Sequence, residues 1–577
     1  MSRHHILAAL LVLLHMLLAT AFSIGNPLGE APDETDHWAY VVYLAREHKL
    51  PEGPRVTQSK HPPLYHASAA AVASLATPRF DFLRANPDIA IHPSPTQSPN
   101  FFIHTTLESW PWQEGVRAFH LARLLSAILS SATVAAVYGL ARSALPMRPN
   151  VALLATGLAA TLPEFTFIGG AINNDNAAAL FGTLALWGGF AIFHASGKGN
   201  HGKWRAGWWT PLALGGGLLA KVSTLSLWPV VGLCILLGAA RSSRDETLVW
   251  RNLLRHWPRW LMGGLITFLP ALAIASPWLL RNWRLYGDPT GMTLIQQTID
   301  LRTTPWLWDD TLWLLQGWFI SFWGKFGAVG HIPYPLWIYW LLGMVSAVGF
   351  VGLFIAYRRA PRIALLLLIL ATLLVGISMW RYSLIALGTD QGRLLFPALG
   401  PILVLLALGL ASWPWGKGRA WLGGALVSAL TLLSLYGLLG VISPAFAPPD
   451  LPTEQEATNT EIEAIAFGEL TLRGWTLTTD PVLYWYASEQ PTQDWRANLR
   501  VTAEDGTLVW EWRRSPGYGR FSTDHWPAGT TMSDEYTVRW PEWAGPGRYR
   551  VEVTLYPFGG EPGQAYPFTL LGWLEKE

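Results

Sequence analysis

Cysteine is almost absent from this chain. The single Cys234 lies in an apolar run, which excludes an intramolecular disulfide and a cysteine-rich zinc site. Charge is scarce as well. Only 14% of the 577 residues are Asp, Glu, Lys or Arg, against about 25% in a soluble globular domain. That deficit argues against a water-soluble enzyme and against disorder. The 41 Lys and Arg nearly balance the 39 Asp and Glu, for a net charge of +2. No bulk basic field is therefore offered to nucleic acid. Internal repeats and low-complexity tracts are also missing. What the chain has instead is apolar surface and tryptophan. Hydrophobic residues make up 51% of it, with 33 Trp, and the mean hydropathy is +0.25. Trp is the residue of membrane–water interfaces.

A helix needs about 20 apolar residues to cross the hydrocarbon core. The first such run, 6–24, follows Arg3, His4 and His5. No small-x-small cleavage site follows it, so it reads as an uncleaved first helix rather than a signal peptide. A polar stretch, about 25–115, comes next. Further runs lie at 119–140, 151–170, 177–193, 212–240, 261–280, 336–356, 363–380, 394–411 and 422–441. As one helix, 212–240 would be about 45 Å long at 1.5 Å per residue, too long for an ordinary crossing. Its flanks, Lys203 and Arg205 before and Arg241 and Arg244 after, are both basic. Two short helices turning near Lys221 keep both flanks on one side. The expectation is about eleven crossings, with ten as the alternative.

The distribution of Lys and Arg favours eleven. With the N-terminus inside, the inside turns hold Arg142 and Arg148, then Lys198, Lys203 and Arg205, then Arg241, Arg244, Arg251, Arg255 and Arg259. Arg358, Arg359 and Arg362 follow, then Lys417 and Arg419. An odd count places the C-terminus outside, with the long first loop, in a multi-pass protein of the cytoplasmic membrane. A Pro-rich, acidic linker at 444–463 then leads into a tail, 464–577, whose pattern changes to period two. Tyr549, Val551, Val553 and Leu555 alternate with Arg548, Arg550, Glu552 and Thr554. Two strand-like runs, 499–503 and 508–512, flank Asp505-Gly506, which signals a type I′ hairpin. The fold class expected is an α-helical polytopic membrane domain, 1–443, followed by a C-terminal all-β sandwich.

Basic inside turns are explained by topology; polar groups at the outer helix ends are not. Asp33 and Glu34, in Pro32-Asp33-Glu34-Thr35-Asp36-His37, stand just after the first helix. They suit either the first turn of a helix or a catalytic carboxylate at the depth where a lipid-linked donor holds its phosphate. His61-Pro62-Pro63-Leu64-Tyr65 reads as a proline-fixed helix start. His61 and Tyr65 are candidates to hydrogen-bond a phosphate or sugar. Asn173-Asn174-Asp175-Asn176 suits an N-cap, yet four polar residues exceed what a cap needs, and Asn174 and Asp175 carry sugar-binding groups. Lys221 lies within an apolar run, at a cost of ~2.5 kcal/mol or more on insertion scales. Either it snorkels to the interface or an anionic partner such as a lipid phosphate offsets the cost. Arg281, Arg284 and Arg393 run against the charge trend, and a guanidinium binds phosphate bidentately. Salt bridges from Arg284 to Asp288 and from Arg393 to Asp390 are the bland alternative. The segment 321–327 is too short to cross and reads as an interfacial helix followed by a turn.

Taken together these segments resemble the GT-C superfamily of integral-membrane glycosyltransferases, in the bacterial branch around protein O-mannosyltransferases and aminoarabinose transferases. The resemblance spans about 6–441. It rests first on Asp33-Glu34 after the first helix and on Pro62-Pro63-Leu64-Tyr65. The Asp175 loop, the Gly217–Lys221 run and Asp390-Gln391-Gly392-Arg393 add to it. It implies a first outer loop carrying two membrane-parallel helices, matched by 36–49 and 61–75. It also implies an inverting direct displacement. Asp33, with Glu34 beside it, would orient or deprotonate an acceptor hydroxyl, while Lys221, Arg281 and Arg393 stabilise a departing polyprenyl phosphate. No cofactor is required by the resemblance, although Asp33, Glu34 and Asp175 could hold a divalent cation. The partners implied are a polyprenyl-phosphate sugar donor, a glycan, lipid or protein acceptor, and membrane lipid. The tail resembles a β-sandwich appended to some such enzymes, through Leu472-Arg473-Gly474-Trp475 and 523–529. The alternative reading is a transporter or flippase for a lipid-linked or anionic substrate. It would favour internal repeats and midplane charges, neither of which the sequence offers clearly.

Overall fold

The computed structural model describes residues 3–89, 99–196, 207–240, 250–414, 419–447 and 464–576. The basic turns expected at Lys198, Lys203, Arg205, Arg241, Arg244 and Lys417, and residues 448–463 of the expected linker, lie outside the described residues. Two compact units emerge. The first comprises Met1–Asn26, Ala31–Arg79 and Arg117–Ile442; the second comprises Pro27–Glu30, Phe80–Val116 and Ser443–Glu577.

The first unit is helical. Among the described residues, nine helices are long and apolar enough to cross a membrane, or ten if the bent pair Pro149–Thr161 and Pro163–Gly169 forms one span. The break in that pair has a local cause: Leu162 is extended and Pro163 opens the next helix, giving a 58° bend. The sequence expectation of eleven needs one correction. The run 212–240 does divide at Lys221, whose extended backbone ends the helix Thr210–Ala220. That helix has 11 residues, about 16 Å of rise, so it cannot span the hydrocarbon core alone. Val222–Ala240 is long enough to do so.

Close helix packing depends on glycine at two places. A Cβ on Gly409 would lie 1.9 Å from the Gly349 carbonyl oxygen, so the helices Leu336–Tyr357 and Leu399–Ser412 meet backbone to backbone. A Cβ on Gly392 would lie 2.3 Å from the Phe322 nitrogen. That contact seats the loop before Arg393 against the helix Trp308–Trp323, which is longer than the interfacial helix expected at 321–327 and ends at Gly324. The polar stretch after the first helix supplies two further helices, Glu34–Glu47 and Leu64–Ala73.

The second unit is the β-sandwich. One antiparallel sheet runs, in spatial order, Thr530–Glu535, Val482–Ala487, Leu470–Thr476 and Ile465–Phe467. The other runs Thr569–Lys576, Gly547–Pro557, Trp495–Thr502 and Leu508–Arg514. Tyr549, Val551, Val553 and Leu555 enter the core as their alternation predicts. Thr554 and Tyr556 on the opposite face are buried too. Part of the long polar stretch belongs to the same unit: Asp88 accepts hydrogen bonds from Arg496 and from the Ser515 nitrogen, both at 2.8 Å. Arg84 pairs with Asp494 at 3.2 Å. The hairpin at Asp505-Gly506 forms, but not as type I′. Gly506 alone takes a positive φ, +87°, and its N–H bonds the Ala503 carbonyl. This is a type I turn closed by a left-handed glycine, with a bulge between Val501 and Thr502.

Candidate active site

Four residues far apart in sequence meet in the first unit. Asp175 opens the helix Asp175–Ser196. One of its oxygens accepts from the Lys221 ammonium, and the other accepts from Arg393 Nη1 at 2.9 Å. Arg393 Nη2 reaches Asp33 at 2.5 Å. The result is a continuous chain of alternating charge: Asp33, Arg393, Asp175, Lys221. Asp175 is fully buried and Arg393 nearly so, while 46% of the Asp33 side-chain surface remains accessible.

Local structure sets each member. Asp33 occupies the N-cap position of Glu34–Glu47, yet its side chain makes no capping bond. Its backbone is left-handed, with φ 58°, a conformation Asp tolerates better than most residues but at some cost. The helix-start role considered from sequence therefore does not account for the Asp33 side chain, which turns to Arg393. The Asp175 nitrogen is capped by Asn173 Oδ1 at 2.9 Å, so capping falls to Asn173 and leaves the Asp175 carboxylate for the two cations. Lys221 sits where the helix breaks, which brings its ammonium beside Asp175 instead of into the apolar run. Arg393 follows Gly392, whose N–H is fixed by Ser321 Oγ at 2.5 Å. The Arg393–Asp390 pair considered from sequence does not form; Arg393 Nε instead donates to Gln391 Oε1 at 2.7 Å.

Other expected site residues stand elsewhere. Glu34 does not face Asp33. Both its oxygens are taken at 2.7 Å by Arg123, and the Ile172 nitrogen donates to it at 2.9 Å. Arg123 also donates to the Ser23 and Asn26 carbonyls. This fully buried pair ties the end of the first helix to the start of the next. Tyr65 is buried and hydrogen-bonded to Ser126 at 2.7 Å, and its hydroxyl pKa is pushed up by burial. The Asn174 amide donates to the Ala220 carbonyl, holding the Lys221 break in place. Arg281 binds the Pro51 carbonyl at 2.8 Å, away from the charge chain. Arg284 is exposed on the surface, and Asp288, considered as its partner, instead fixes its own turn by accepting from Thr290 and Thr293. Asp33, Glu34 and Asp175 do not converge on a common point. Among the described residues no group of three or more His, Cys, Asp or Glu is placed to hold a metal ion.

Sequence reasoning passed over Lys60. It is only 8% exposed, and its side chain makes no hydrogen bond or ion pair among the described residues. Burial lowers its pKa, against the pull of Asp33 and Asp36 and with help from Lys221. The one signal available was a lone cation directly before His61-Pro62-Pro63. His61 itself lies in a cluster with His37 and His66. Their rings are 6.0 and 5.1 Å from His37, and His37 Nδ1 is 2.8 Å from His66 Nε2. Burial, then neighbouring positive groups, hold His37 and His61 well below the usual imidazole value, so both are neutral at pH 7. Burial works to raise the Asp33 pKa. The Arg393 charge and hydrogen bond, aided by Lys60 and Lys221, outweigh it and hold the carboxyl below its ordinary value. Asp36, on the same helix, is held above its ordinary value by burial and by the Asp33 charge. The arrangement is an accessible carboxylate beside three cations, which suits chemistry that moves negative charge onto a phosphate.

A family likeness bears on this geometry. Residues 101–276 match the dolichyl-phosphate-mannose-protein mannosyltransferase family. That stretch contains Asp175 and Lys221, and it agrees with the glycosyltransferase resemblance read from the sequence. No curated protein matches the chain. Solved structures with partial likeness include the Archaeoglobus fulgidus oligosaccharyltransferase, at 14% identity and TM-score 0.41, covering 78% of this chain and 56% of that one. ArnT from Cupriavidus metallidurans bound to undecaprenyl phosphate is 16% identical with TM-score 0.44, covering 74% and 64%. The S. cerevisiae protein O-mannosyltransferase Pmt1-Pmt2 complex bound to its sugar donor is 18% identical with TM-score 0.34, covering 50% and 34%. The chain thus spans less than two thirds of the length of each of these proteins.

Proposed function

We propose that the protein is a membrane glycosyltransferase that moves a sugar from a polyprenyl-phosphate donor to an acceptor hydroxyl at the outer face of the membrane. The observation that carries this reading is the accessible Asp33 carboxylate, released from helix capping and paired with Arg393, under the charge of Lys221 and of Lys60, whose side chain has no partner among the described residues. The family match over 101–276 supports the same reaction class.

In the reaction, the acceptor hydroxyl oxygen attacks the anomeric carbon while the bond from that carbon to the phosphate oxygen breaks. The bonding electrons leave with polyprenyl phosphate, and the configuration inverts. Asp33 accepts the hydroxyl proton. Its pKa is depressed, so it is a weak base. It orients the hydroxyl in the ground state and takes the proton only as the new bond acidifies it. Lys60 and Lys221 meet the charge that develops on the leaving phosphate, held in place before the reaction so that little reorganisation is needed. Arg393, kept between Asp33 and Asp175, couples the base to this cationic side.

The test is release of polyprenyl phosphate by purified protein in lipid nanodiscs, supplied with polyprenyl-phosphate sugars and an acceptor pool. The native chain releases it, Asp33→Asn does not, and Lys60→Ala binds polyprenyl phosphate at least tenfold more weakly. Undiminished release by Asp33→Asn would overturn the assignment of the base.

A further inference from the structure

A recess in the first unit is lined by Pro32, Glu164, Ser321, Lys325, Asp390 and Gln391. Two of its walls adjoin the charge chain: Pro32 precedes Asp33, and Gln391 accepts from Arg393. Its polar groups are strangely placed for a structural network. Glu164 is 2% exposed, at the helix bend made by Pro163, and accepts from the Lys325 backbone nitrogen at 3.0 Å. The Asp390 carboxylate and the Lys325 ammonium make no hydrogen bond or ion pair among the described residues, with each other or with anything else. Opposite charges lining one recess without meeting leave a gap that asks for a ligand able to donate to carboxylates and accept from an ammonium. Carboxyl groups on two of its walls disfavour a phosphate there. Vicinal hydroxyls satisfy both demands while adding no charge.

We propose that this small recess takes hydroxyls from the edge of a neutral sugar ring lying over it, with Glu164 and Asp390 accepting and Lys325 donating. The inference rests on the transferase reading above, which supplies two such rings: the donor's own and that of a glycan acceptor. On either source the recess selects the sugar, while Lys60 and Lys221 hold the phosphate.

The experiment measures steady-state transfer for the native chain and for Glu164→Gln, Asp390→Asn and Lys325→Met, varying donor and acceptor separately. Affinity for sugar-free polyprenyl phosphate is measured on the same preparations. The expected result is a rise of about tenfold or more in one KM, as for loss of a hydrogen bond to a charged group, with polyprenyl phosphate affinity unchanged. A rise confined to donor KM assigns the donor's ring; a rise confined to acceptor KM assigns the acceptor's. Asp390 and Lys325 are partly exposed, so their variants carry the test if Glu164→Gln fails to fold. Native activity with both KM values of the variants within twofold of native, or polyprenyl phosphate affinity falling in step with KM, would overturn the sugar site alone. Absence of release by the native chain with every donor would remove the transferase reading and this inference with it.

Discussion

Replacing Asp175 by Asn separates the energetic roles of the charge chain. Asp175 is fully buried and is the partner of both Lys221 and Arg393. Removing one member of a buried pair typically costs about 3–5 kcal/mol, because the remaining charge is left uncompensated. Arg393 retains Asp33, so the cost falls mainly on Lys221, whose side chain is 11% exposed. The low end, about 3 kcal/mol, is therefore expected. That loss is read as a lowered thermal midpoint in nanodiscs without ligand. The same change frees Lys221 from its competitor for phosphate. If about half of the lost energy is recovered when an anion arrives, polyprenyl phosphate binds Asp175→Asn about tenfold more tightly than the native chain, while transfer slows because Arg393 is held only by Asp33. At 100 times its Kd the ligand adds about 2.7 kcal/mol in either protein, so the comparison must be made as affinity and not as a single midpoint. Unchanged stability would refute the reasoning that Asp175 compensates the two cations. Weaker polyprenyl phosphate binding would refute the reasoning that these cations face the phosphate.

Adjacent carboxylates should behave oppositely. Glu34→Gln breaks the buried pair with Arg123 and costs about 3–5 kcal/mol, seen as loss of monodisperse protein on gel filtration. Asp33→Asn keeps the fold, since Asn also tolerates the left-handed backbone, but lowers turnover by about 100-fold or more. The pH dependence follows from Asp33 and Lys60. The folded pKa of Asp33 is depressed below 3.8, so its stabilising charge is complete above that value and lost only as pH falls through the lower folded pKa. The acid limb of the pH–rate profile that belongs to Asp33 therefore lies below 3.8, provided the protein stays folded. Lys60 titrates below its usual 10.5, so polyprenyl phosphate affinity declines with rising pH before that value in the native chain, and this decline disappears in Lys60→Met. In the β-unit, Asp88→Ala strands the Arg496 charge and should expose the segment around Arg84 to limited proteolysis faster than in the native chain.

Apolar runs and the period of their alternation carried most of the fold. Long helices of sufficient hydropathy announce themselves because lipid leaves the backbone no partners but its own, and the period-two tail announced strands because its inner face must be apolar. The division of 212–240 near Lys221 was legible from the length of the run and its two basic flanks. The length of Thr210–Ala220 was not, because hydropathy marks what is apolar and not where a helix ends. Asp175, Lys221 and Arg393 stood out as polar groups in places that capping or topology did not require, while Asp33 suited a helix start equally well. Their connection was invisible: positions 33 and 393, or 175 and 393, meet only through packing of non-adjacent helices. Tertiary structure alone separated Asp33 from Glu34, because neighbouring residues at a helix start point in different directions and Arg123 claims only one of them. It alone turned Tyr65 and Asn174 into buried supports, assigned part of the long polar stretch to the β-unit, and placed Lys60 where burial, with no side-chain partner among the described residues, makes its charge available to a ligand.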